Sequence, residues 1–275
     1  SYPSRHLNFP IYPFVKITNF SYPFKLYLAE TFEDSYTYTS DGIRVGLGIL
    51  LQNYWNTEFE YYLNKDNFQS EEALANDGAN PYDPHAIEKK NMAGIRILAQ
   101  LDMLDDILLP RDGIFIKWKY ENSRIELGSN QNYEFYQAWG KIFKTFHLNT
   151  YGISGYYHRG TNETPPYLTT IFEGSKIFAG TEEFQLHGSS LTFFRLDYRY
   201  KHNKFIFANF MINWLMNAKS EDANFSAENL WGAGLGVTII TPVGPIKIMN
   251  SWGPKNIYTS RTSQSLWSFS AGYKF

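Results

Sequence analysis

Residues 43–52 read IRVGLGILLQ, and this stretch decides the fold class. Large apolar side chains occupy every second position, namely Ile43, Val45, Leu47, Ile49 and Leu51. Apart from Leu50, the intervening positions carry small or polar residues, namely Arg44, Gly46, Gly48 and Gln52. Because successive side chains of a β-strand point to opposite faces of its sheet, the stretch predicts a strand with one apolar face and one polar face.

The same period of two recurs along the chain, whereas a helical period of 3.6 is hard to find. It predicts about thirteen strands, at residues 11–20, 22–31, 42–52, 54–64, 91–102, 112–122, 131–143, 147–158, 190–201, 204–215, 229–241, 244–252 and 265–275. Single-chain bacterial barrels have even strand numbers. We therefore expect either a fourteenth strand in residues 2–10 or further strands upstream.

Two architectures share this alternation, a soluble antiparallel sandwich and an antiparallel transmembrane β-barrel. The predicted strands run about ten residues, which is long for a globular sheet and close to what a tilted membrane strand needs. Aromatic residues cluster near strand ends, where an interfacial girdle lies: Trp55, Tyr61, Trp118, Tyr120, Tyr198, Tyr200, Trp214 and Trp231. These features favour the all-β transmembrane barrel, and the sandwich is the alternative.

The composition of the 275-residue chain excludes several other classes of protein. Aromatic residues make up 18% of it, yet its mean hydropathy is −0.38. No run approaches the roughly 18 apolar residues of a membrane-spanning helix. The formal charge of −2 gives nucleic-acid binding no support, and the lack of cysteine excludes disulfides and thiolate metal sites. The length suits one large all-β unit, and we expect residues 1–275 to form a single barrel domain.

The last predicted strand adds a specific signal. Counting back from the final residue, every second position is apolar: Phe275, Tyr273, Ala271, Phe269 and Trp267. A terminal strand that ends on Phe resembles the C-terminal signal that the bacterial barrel-assembly machinery reads. It indicates an outer-membrane protein of a Gram-negative bacterium.

Charged residues on the polar faces are the candidate lumen-facing groups: Arg44, Arg96, Lys117, Lys119, Arg195, Asp197 and Arg199. They either brace a water-filled lumen through ion pairs or set the ion or substrate preference of a channel. Because their signs are mixed, we favour bracing. Glycines on the same faces leave room inside the barrel for an inserted loop.

We find no candidate for catalysis or for cofactor or metal binding. The chain lacks the nucleophile elbow G-x-S-x-G, the phosphate-binding loop and the H-E-x-x-H motif. The acidic stretch DGANPYDPH at residues 77–85 lacks the spacing of a twelve-residue calcium loop. A solvated external loop is the better interpretation of that stretch.

The second half of the chain resembles the Omp85 superfamily, also called the bacterial surface antigen family. Three segments carry the resemblance, together with the terminal strand. Residues 109–113 (LPRDG) are similar to the family's P-x-x-G turn, and residues 232–236 (GAGLG) with 241–246 (TPVGPI) are similar to a segment near its end. Residues 172–188 occupy the position of the family's long loop, which folds into the lumen. The resemblance is strongest to the barrel of patatin-like outer-membrane phospholipases.

One departure concerns the tip of that loop. Insertases and two-partner transporters of the superfamily carry a [VI]-R-G-[FY] tip, whose Arg pairs with an acidic residue on a following strand. Here the tip is Phe178, Ala179, Gly180 and Thr181, and the acidic position falls near Asn209. Both charges are absent together, so neither is left unpaired. This departure weakens an insertase interpretation.

The resemblance implies that the chain anchors or translocates an N-terminal patatin-like lipase and is not itself an enzyme. It also implies a sixteen-stranded barrel whose first strands and upstream domains are missing from the chain. The alternatives are an Omp85-type insertase or secretion pore, and a porin-like diffusion channel. The expected partners are outer-membrane lipids, lipopolysaccharide and the barrel-assembly machinery, and the sequence leaves open whether the protein forms a homo-oligomer.

Overall fold

The structure, a computed structural model, describes residues 10–28, 31–52, 54–70, 87–161, 163–169, 177–182, 186, 188–220, 225–254 and 263–272. These residues form twelve strands: β1 (Ile11–Leu28), β2 (Thr31–Leu51), β3 (Trp55–Ser70), β4 (Ile87–Asp102), β5 (Gly113–Ser123), β6 (Tyr133–Phe146), β7 (Asn149–Gly160), β8 (Ser190–Lys201), β9 (Ile206–Ser220), β10 (Phe225–Thr241), β11 (Gly244–Pro254) and β12 (Ser263–Ala271).

All twelve strands belong to one sheet, in which each strand neighbours the next one along the chain, from β1 to β12. The register is antiparallel, as in β2 and β3, which pair continuously from Tyr36 with Ser70 to Leu51 with Trp55. This arrangement confirms the prediction of an antiparallel all-β fold. Helical structure in the described residues is limited to single turns at Ile125–Leu127 and Pro166–Thr169, and none of it is long and apolar enough to cross a membrane.

The predicted number of about thirteen strands is wrong for the described residues. The two strands expected at residues 11–20 and 22–31 are a single strand, β1. This strand contains Pro13 and Pro23, and proline cannot donate a hydrogen bond within a sheet. However, β1 is the first strand of the sheet order, and an edge strand tolerates proline where its backbone needs no partner.

The two faces of the sheet differ in the way that the alternation predicts. In the β2–β3 pair, Val45 lies opposite Tyr61 and Leu47 opposite Phe59, and all four side chains are exposed. The other face of β3 carries Glu60, which is buried. We call the first the apolar face and the second the polar face. This distribution is the reverse of that in a water-soluble domain, where apolar side chains are the buried ones.

Packing divides the chain into two compact units. The first comprises Ser1–Lys25, Asp34–Asp102 and Lys117–Gln137, and the second comprises Leu26–Glu33, Met103–Ile116 and Ala138–Phe275. In the first unit the largest buried side chains are Tyr38, Tyr62, Met92, Tyr133 and Phe135. In the second unit a cluster forms around Phe178, with Tyr156, Leu186, Leu191, Phe193, Leu215 and Ala218.

Candidate functional site

Arg96, on β4, is the centre of an ionic network on the polar face of the first unit. Its Nε donates to Oε2 of Glu121 at 2.8 Å, and its Nη1 lies 3.4 Å from Oε2 of Glu60. The guanidinium carbon lies 4.9 Å from the ring centroid of Tyr62. The Arg96 side chain is 6% exposed and the two carboxylates at most 1%, so this network of charges is desolvated.

Glu121, on β5, accepts from three donors. Besides Arg96, Nζ of Lys119 lies 2.8 Å from Oε2, and the hydroxyl of Tyr133 donates to Oε1 at 2.5 Å. The hydroxyls of Tyr133 and Tyr62 are 3.0 Å apart and extend the network. A buried carboxylate is tolerated when charged or hydroxyl donors satisfy its oxygens, and Glu121 meets this condition.

Lys16, on β1, continues the network at its other end. Its Nζ lies 3.0 Å from Oε1 of Glu60 and 2.5 Å from Oε2 of Glu58. Positive and negative groups therefore alternate from Lys16 through Glu60, Arg96 and Glu121 to Lys119. The alternation ties β1, β3, β4 and β5 together through side chains.

The other two charges predicted to face the lumen in this unit differ in exposure. Arg44 is half-buried on β2, opposite Tyr62 in the register. Lys117 is exposed on β5. Four cations were predicted to face the lumen in this unit, and the structure places two of them, Arg96 and Lys119, against the carboxylate of Glu121. The sequence analysis did not select Glu121 as a candidate.

In the second unit, Arg195 and Asp197 form a pair along β8. Nε of Arg195 lies 2.8 Å from Oδ1 and 2.9 Å from Oδ2 of Asp197, so the carboxylate is held by both oxygens. Nη1 of the same arginine lies 3.4 Å from the carbonyl oxygen of Ile177. Arg195 therefore links β8 to the segment that leads into the loop tip.

Arg199, two residues further along β8, holds a different segment. Its Nη2 donates to the carbonyl oxygens of Pro110 and of Leu109, the latter at 3.4 Å. Both residues belong to the connection between β4 and β5, residues 103–112. This connection contains most of the LPRDG segment that resembles the family's turn, and Arg199 fixes it against β8.

Two aspartates give the connection its shape. Oδ1 of Asp105 accepts the backbone N–H groups of Arg111 at 2.8 Å and Asp112 at 3.1 Å. Oδ1 of Asp106 accepts those of Leu108 at 2.7 Å and Leu109 at 2.9 Å. Carboxylates that accept nearby N–H groups stabilise turns without secondary structure, so the connection has a defined conformation.

Replacing Asp105 with asparagine should lower the Tm at about pH 7, and the loss should become smaller as the pH falls below about 3.9. Partial burial raises the pKa of Asp105, but the N–H groups of Asp112 and Arg111 outweigh it and hold the pKa below its ordinary value. A lowered folded-state pKa contributes stability above the unfolded value of about 3.9 and loses it as the pH falls through the folded value. Thermal unfolding followed by circular dichroism across this range measures the effect, and a pH-independent difference in Tm would contradict it.

The loop tip, residues 178–181, is a tight turn. The backbone N–H of Thr181 donates to the carbonyl of Phe178 at 3.3 Å, and its hydroxyl donates to the same oxygen at 2.7 Å. Gly180 has a φ of +79°, a conformation that favours glycine. Phe178, Ala179 and Thr181 are fully buried.

A neutral amide holds the backbone of this tip on β9. Oδ1 of Asn213 accepts the N–H of Ala179 at 3.1 Å, and its Nδ2 donates to the carbonyl of Ile177 at 2.9 Å. On β12, Nε2 of Gln264 donates to the carbonyl of Gly180 at 2.9 Å. The tip is therefore bound by uncharged groups.

Two strand glycines let the tip approach β10 and β11 closely. A Cβ atom on Gly232 would lie 2.3 Å from the carbonyl oxygen of Ala179, and one on Gly253 would lie 2.4 Å from the same atom. Real Cβ atoms do not occupy such positions, so any other residue would displace the tip. This contact accounts for Gly232 in the GAGLG segment.

The aromatic ring of Phe178 completes the docking. It meets the ring of Phe193 edge-on, with centroids 5.8 Å apart, and Phe193 stacks on Tyr156 at 5.2 Å. Trp139, on β6, contacts both of these rings. The loop tip is thus bound to the strands of the second unit by apolar as well as polar contacts.

In the structure Ala179 of the loop tip contacts Asn213, four residues from Asn209, near which the sequence analysis placed the family's acidic position. Nδ2 of Asn209 instead donates to Oγ1 of Thr238 at 2.9 Å. Both asparagines lie on the polar face of β9, four residues apart. Alternation alone cannot distinguish two such positions, since they share a face.

The C-terminal strand exposes the side chains that the sequence analysis assigned to an assembly signal. Trp267 is 76% exposed and Phe269 is 67% exposed, and Ala271 lies on the same face. Tyr273 and Phe275 lie outside the described residues. In the part of the chain that the structure describes, no group of three or more His, Asp or Glu side chains is placed to hold a metal ion. The acidic stretch at residues 77–85 is also outside it.

Residues 6–275 match the family model of the Omp85 superfamily domain. Among solved structures, the chain is similar to BamA from Haemophilus ducreyi lacking POTRA domains 1–3, with a TM-score of 0.69 and 12% sequence identity. The match covers 94% of this chain and 59% of that BamA chain. At this sequence identity it shows a similar fold and nothing more. No curated protein sequence gives a match. The extent of the family match shows that the chain belongs to the Omp85 superfamily of outer-membrane β-barrels.

Proposed function

We propose that this chain is the membrane-embedded barrel of a larger outer-membrane protein and that it anchors or translocates a domain attached upstream. The docked loop tip is the observation that carries the proposal. The family resemblance implies that insertases and two-partner transporters of the superfamily have a charged loop tip, which pairs with an acidic residue on a strand. Here the corresponding contact joins Ala179 to the neutral side chain of Asn213.

The neutral contact favours an anchoring role because it is fully satisfied. Asn213 is completely buried, and both its donor and its acceptor are used by the backbone of the loop. Buried polar groups that are paired in this way hold one conformation. A loop fixed by such contacts is better suited to stabilising the strands that it contacts than to rearranging around a substrate.

The attached domain in our proposal is a patatin-like lipase, with residues 1–275 forming one barrel domain in a Gram-negative outer membrane. The resemblance of the LPRDG and GAGLG segments to the patatin-like subgroup supports this assignment. The apolar face, with exposed residues such as Leu47 and Trp267, is suited to contact lipid. Lipids and lipopolysaccharide on that face, and the assembly machinery at β12, are the proposed partners.

Cell fractionation tests the anchoring role. The full-length protein, with whatever precedes Ser1, is produced in a Gram-negative host, and hydrolysis of a fluorogenic phospholipid is measured in the membrane and soluble fractions. We expect the activity in the outer membrane, and we expect removal of residues 1–275 to release it into the soluble fraction. Activity that stays in the membrane without the barrel would contradict the anchoring role, and absence of hydrolysis would contradict the lipase assignment.

An insertase or secretion pore is the second candidate, and the similarity of the fold to BamA favours it. Purified chain in liposomes is mixed with an unfolded outer-membrane barrel, and the folding rate of that substrate is compared with that in protein-free liposomes. Equal rates support the anchor, whereas acceleration that Gly180→Ala abolishes supports the insertase. A large, steady conductance in planar bilayers would instead support a diffusion channel.

A further inference from the structure

A cavity of about 400 Å³ lies on the polar face of the second unit. Its wall is formed by β6 to β12 and by residues 107–110 of the connection between β4 and β5. Pockets of about 300 to 1,000 Å³ are the usual size for small-molecule sites. The cavity is therefore large enough for a ligand of several heavy atoms.

The charges around the cavity do not cancel. Arg195 and Asp197 neutralise each other through their bidentate contact. Asp105 and Asp106 of the neighbouring connection act electrostatically on Arg199, but they do not line the cavity. The lining residues that remain charged are Lys141, Arg199 and Lys247, so the wall has a positive excess.

Lys247, on β11, contributes to this excess. It is half-buried and lines the cavity, and it makes no hydrogen bond or ion pair with any residue that the structure describes. Arg199 is a second cation of the wall, and its contacts with Pro110 and Leu109 are to neutral carbonyl oxygens. A partly buried ammonium group that makes no ion pair is costly, and an anion bound directly to it in the cavity would reduce that cost.

Strand pairing and one diagonal hydrogen bond connect these two cations in a row, with polar groups between them. Lys247 lies opposite Thr238 on β10, and Arg199 lies opposite Asn209 on β9. Nδ2 of Asn209 donates to Oγ1 of Thr238 at 2.9 Å, which joins the two middle positions. The row of Arg199, Asn209, Thr238 and Lys247 offers charged and neutral donors to the oxygens of one anionic group.

Another part of the wall is apolar. Trp139, Phe143, Met211 and Met249 line the cavity together with Ile107 and Leu108 of the connection. Methionine side chains adapt to irregular ligands, and aromatic rings supply large apolar surfaces. A ligand that satisfies both parts of the wall carries an anionic head and an apolar portion.

We propose that this cavity binds an anionic amphiphile whose phosphate or carboxylate head lies between Lys247 and Arg199. Guanidinium and ammonium groups bind such heads through charge-assisted hydrogen bonds. The apolar portion packs against Trp139 and Met211. This site is independent of what the barrel anchors, so its failure would leave the proposed function unaffected.

Calorimetric titration in a neutral detergent tests the site on the intact chain. The probes are short-chain dihexanoyl phosphatidic acid, the matching zwitterionic phosphatidylcholine, and inorganic phosphate. We expect Lys247→Met to raise the Kd for the anionic lipid at least about tenfold, the effect of losing one charge-assisted hydrogen bond. Lys117→Met, which removes an exposed lysine of the other unit, is the matched control and should leave the Kd unchanged.

The outcomes separate the sources of the anion. Tighter binding of phosphatidic acid than of inorganic phosphate, lost in Lys247→Met, supports a lipid ligand. Equal binding of both, also dependent on Lys247, supports the anion site with a free phosphate as its ligand. The proposal would be overturned if phosphatidylcholine bound as tightly as phosphatidic acid. It would also be overturned if the Kd for phosphatidic acid were unchanged in both Lys247→Met and the milder Lys247→Gln. Circular dichroism verifies that each variant is folded.

Discussion

Replacing Glu121 with glutamine should lower the free energy of unfolding by about 3 to 5 kcal/mol. The change leaves Lys119 without its carboxylate and removes the stronger of the two contacts of Arg96. Breaking one side of a buried ionic network leaves uncompensated charge in a desolvated place, which costs far more than the net value of the pair. Urea unfolding in detergent or lipid, followed by tryptophan fluorescence, measures the loss.

Glu134→Gln is the matched control for this prediction. Glu134 also pairs with an arginine, Arg124, at 2.5 Å, but the two side chains are 33% and 40% exposed. Solvent screens a pair of this kind, and its removal should cost less than about 1 kcal/mol. If the two Glu→Gln variants lost equal stability, the network around Arg96 would be no more important than a surface contact.

Gly180→Ala should destabilise the protein by about 2 to 5 kcal/mol. A left-handed φ costs a residue with a Cβ about 1 to 2 kcal/mol, and Gly180 has a φ of +79°. The new Cβ would also lie 2.0 Å from the backbone nitrogen of Gly253, and relieving such overpacking costs about 1 to 3 kcal/mol more. The same unfolding measurement gives the total.

Gly128→Ala separates the two contributions. Gly128 has a φ of +99°, but its Cβ would meet only the Cβ of Ala93, at a relaxed 3.8 Å. This variant should therefore lose only the conformational contribution of about 1 to 2 kcal/mol. Equal losses in the two variants would mean that the loop tip is not packed against β11.

The alternation of side chains was predictable because it is a local property of each strand. A period of two fixes which residues share a face without knowledge of the partner strand. For this reason Ile43 and Val45 were assigned to the apolar face and Arg96 to the polar face before any pairing was known. The structure has them on those faces.

Contacts between distant strands were harder to predict. The sequence analysis identified Arg96 and Lys119 but not Glu121, since nothing in a single strand tells which charges meet across a sheet. For the same reason it did not identify Asn213 as the residue that contacts the loop. It passed over Lys247 because prolines and glycines surround this lysine and obscure the alternation of its strand.

The length of β1 depended on its place in the sheet. In an interior strand, Pro23 would leave a hydrogen bond of the sheet unmade. Because β1 is at the edge of the sheet, it can continue through Pro23 to Leu28. Edge position is a property of the whole topology. It cannot be read from the ten or so residues around a proline.

The docked loop tip also determines how the second unit carries mechanical load. The segment from Ile177 to Gly180 contacts five successive strands, through Arg195, Asn213, Gly232, Gly253 and Gln264. Strands joined only to their neighbours can be peeled from the edge of a sheet one hairpin at a time. Tension on β12 is instead shared through the loop with β8 to β11, so these strands resist extraction as a single block.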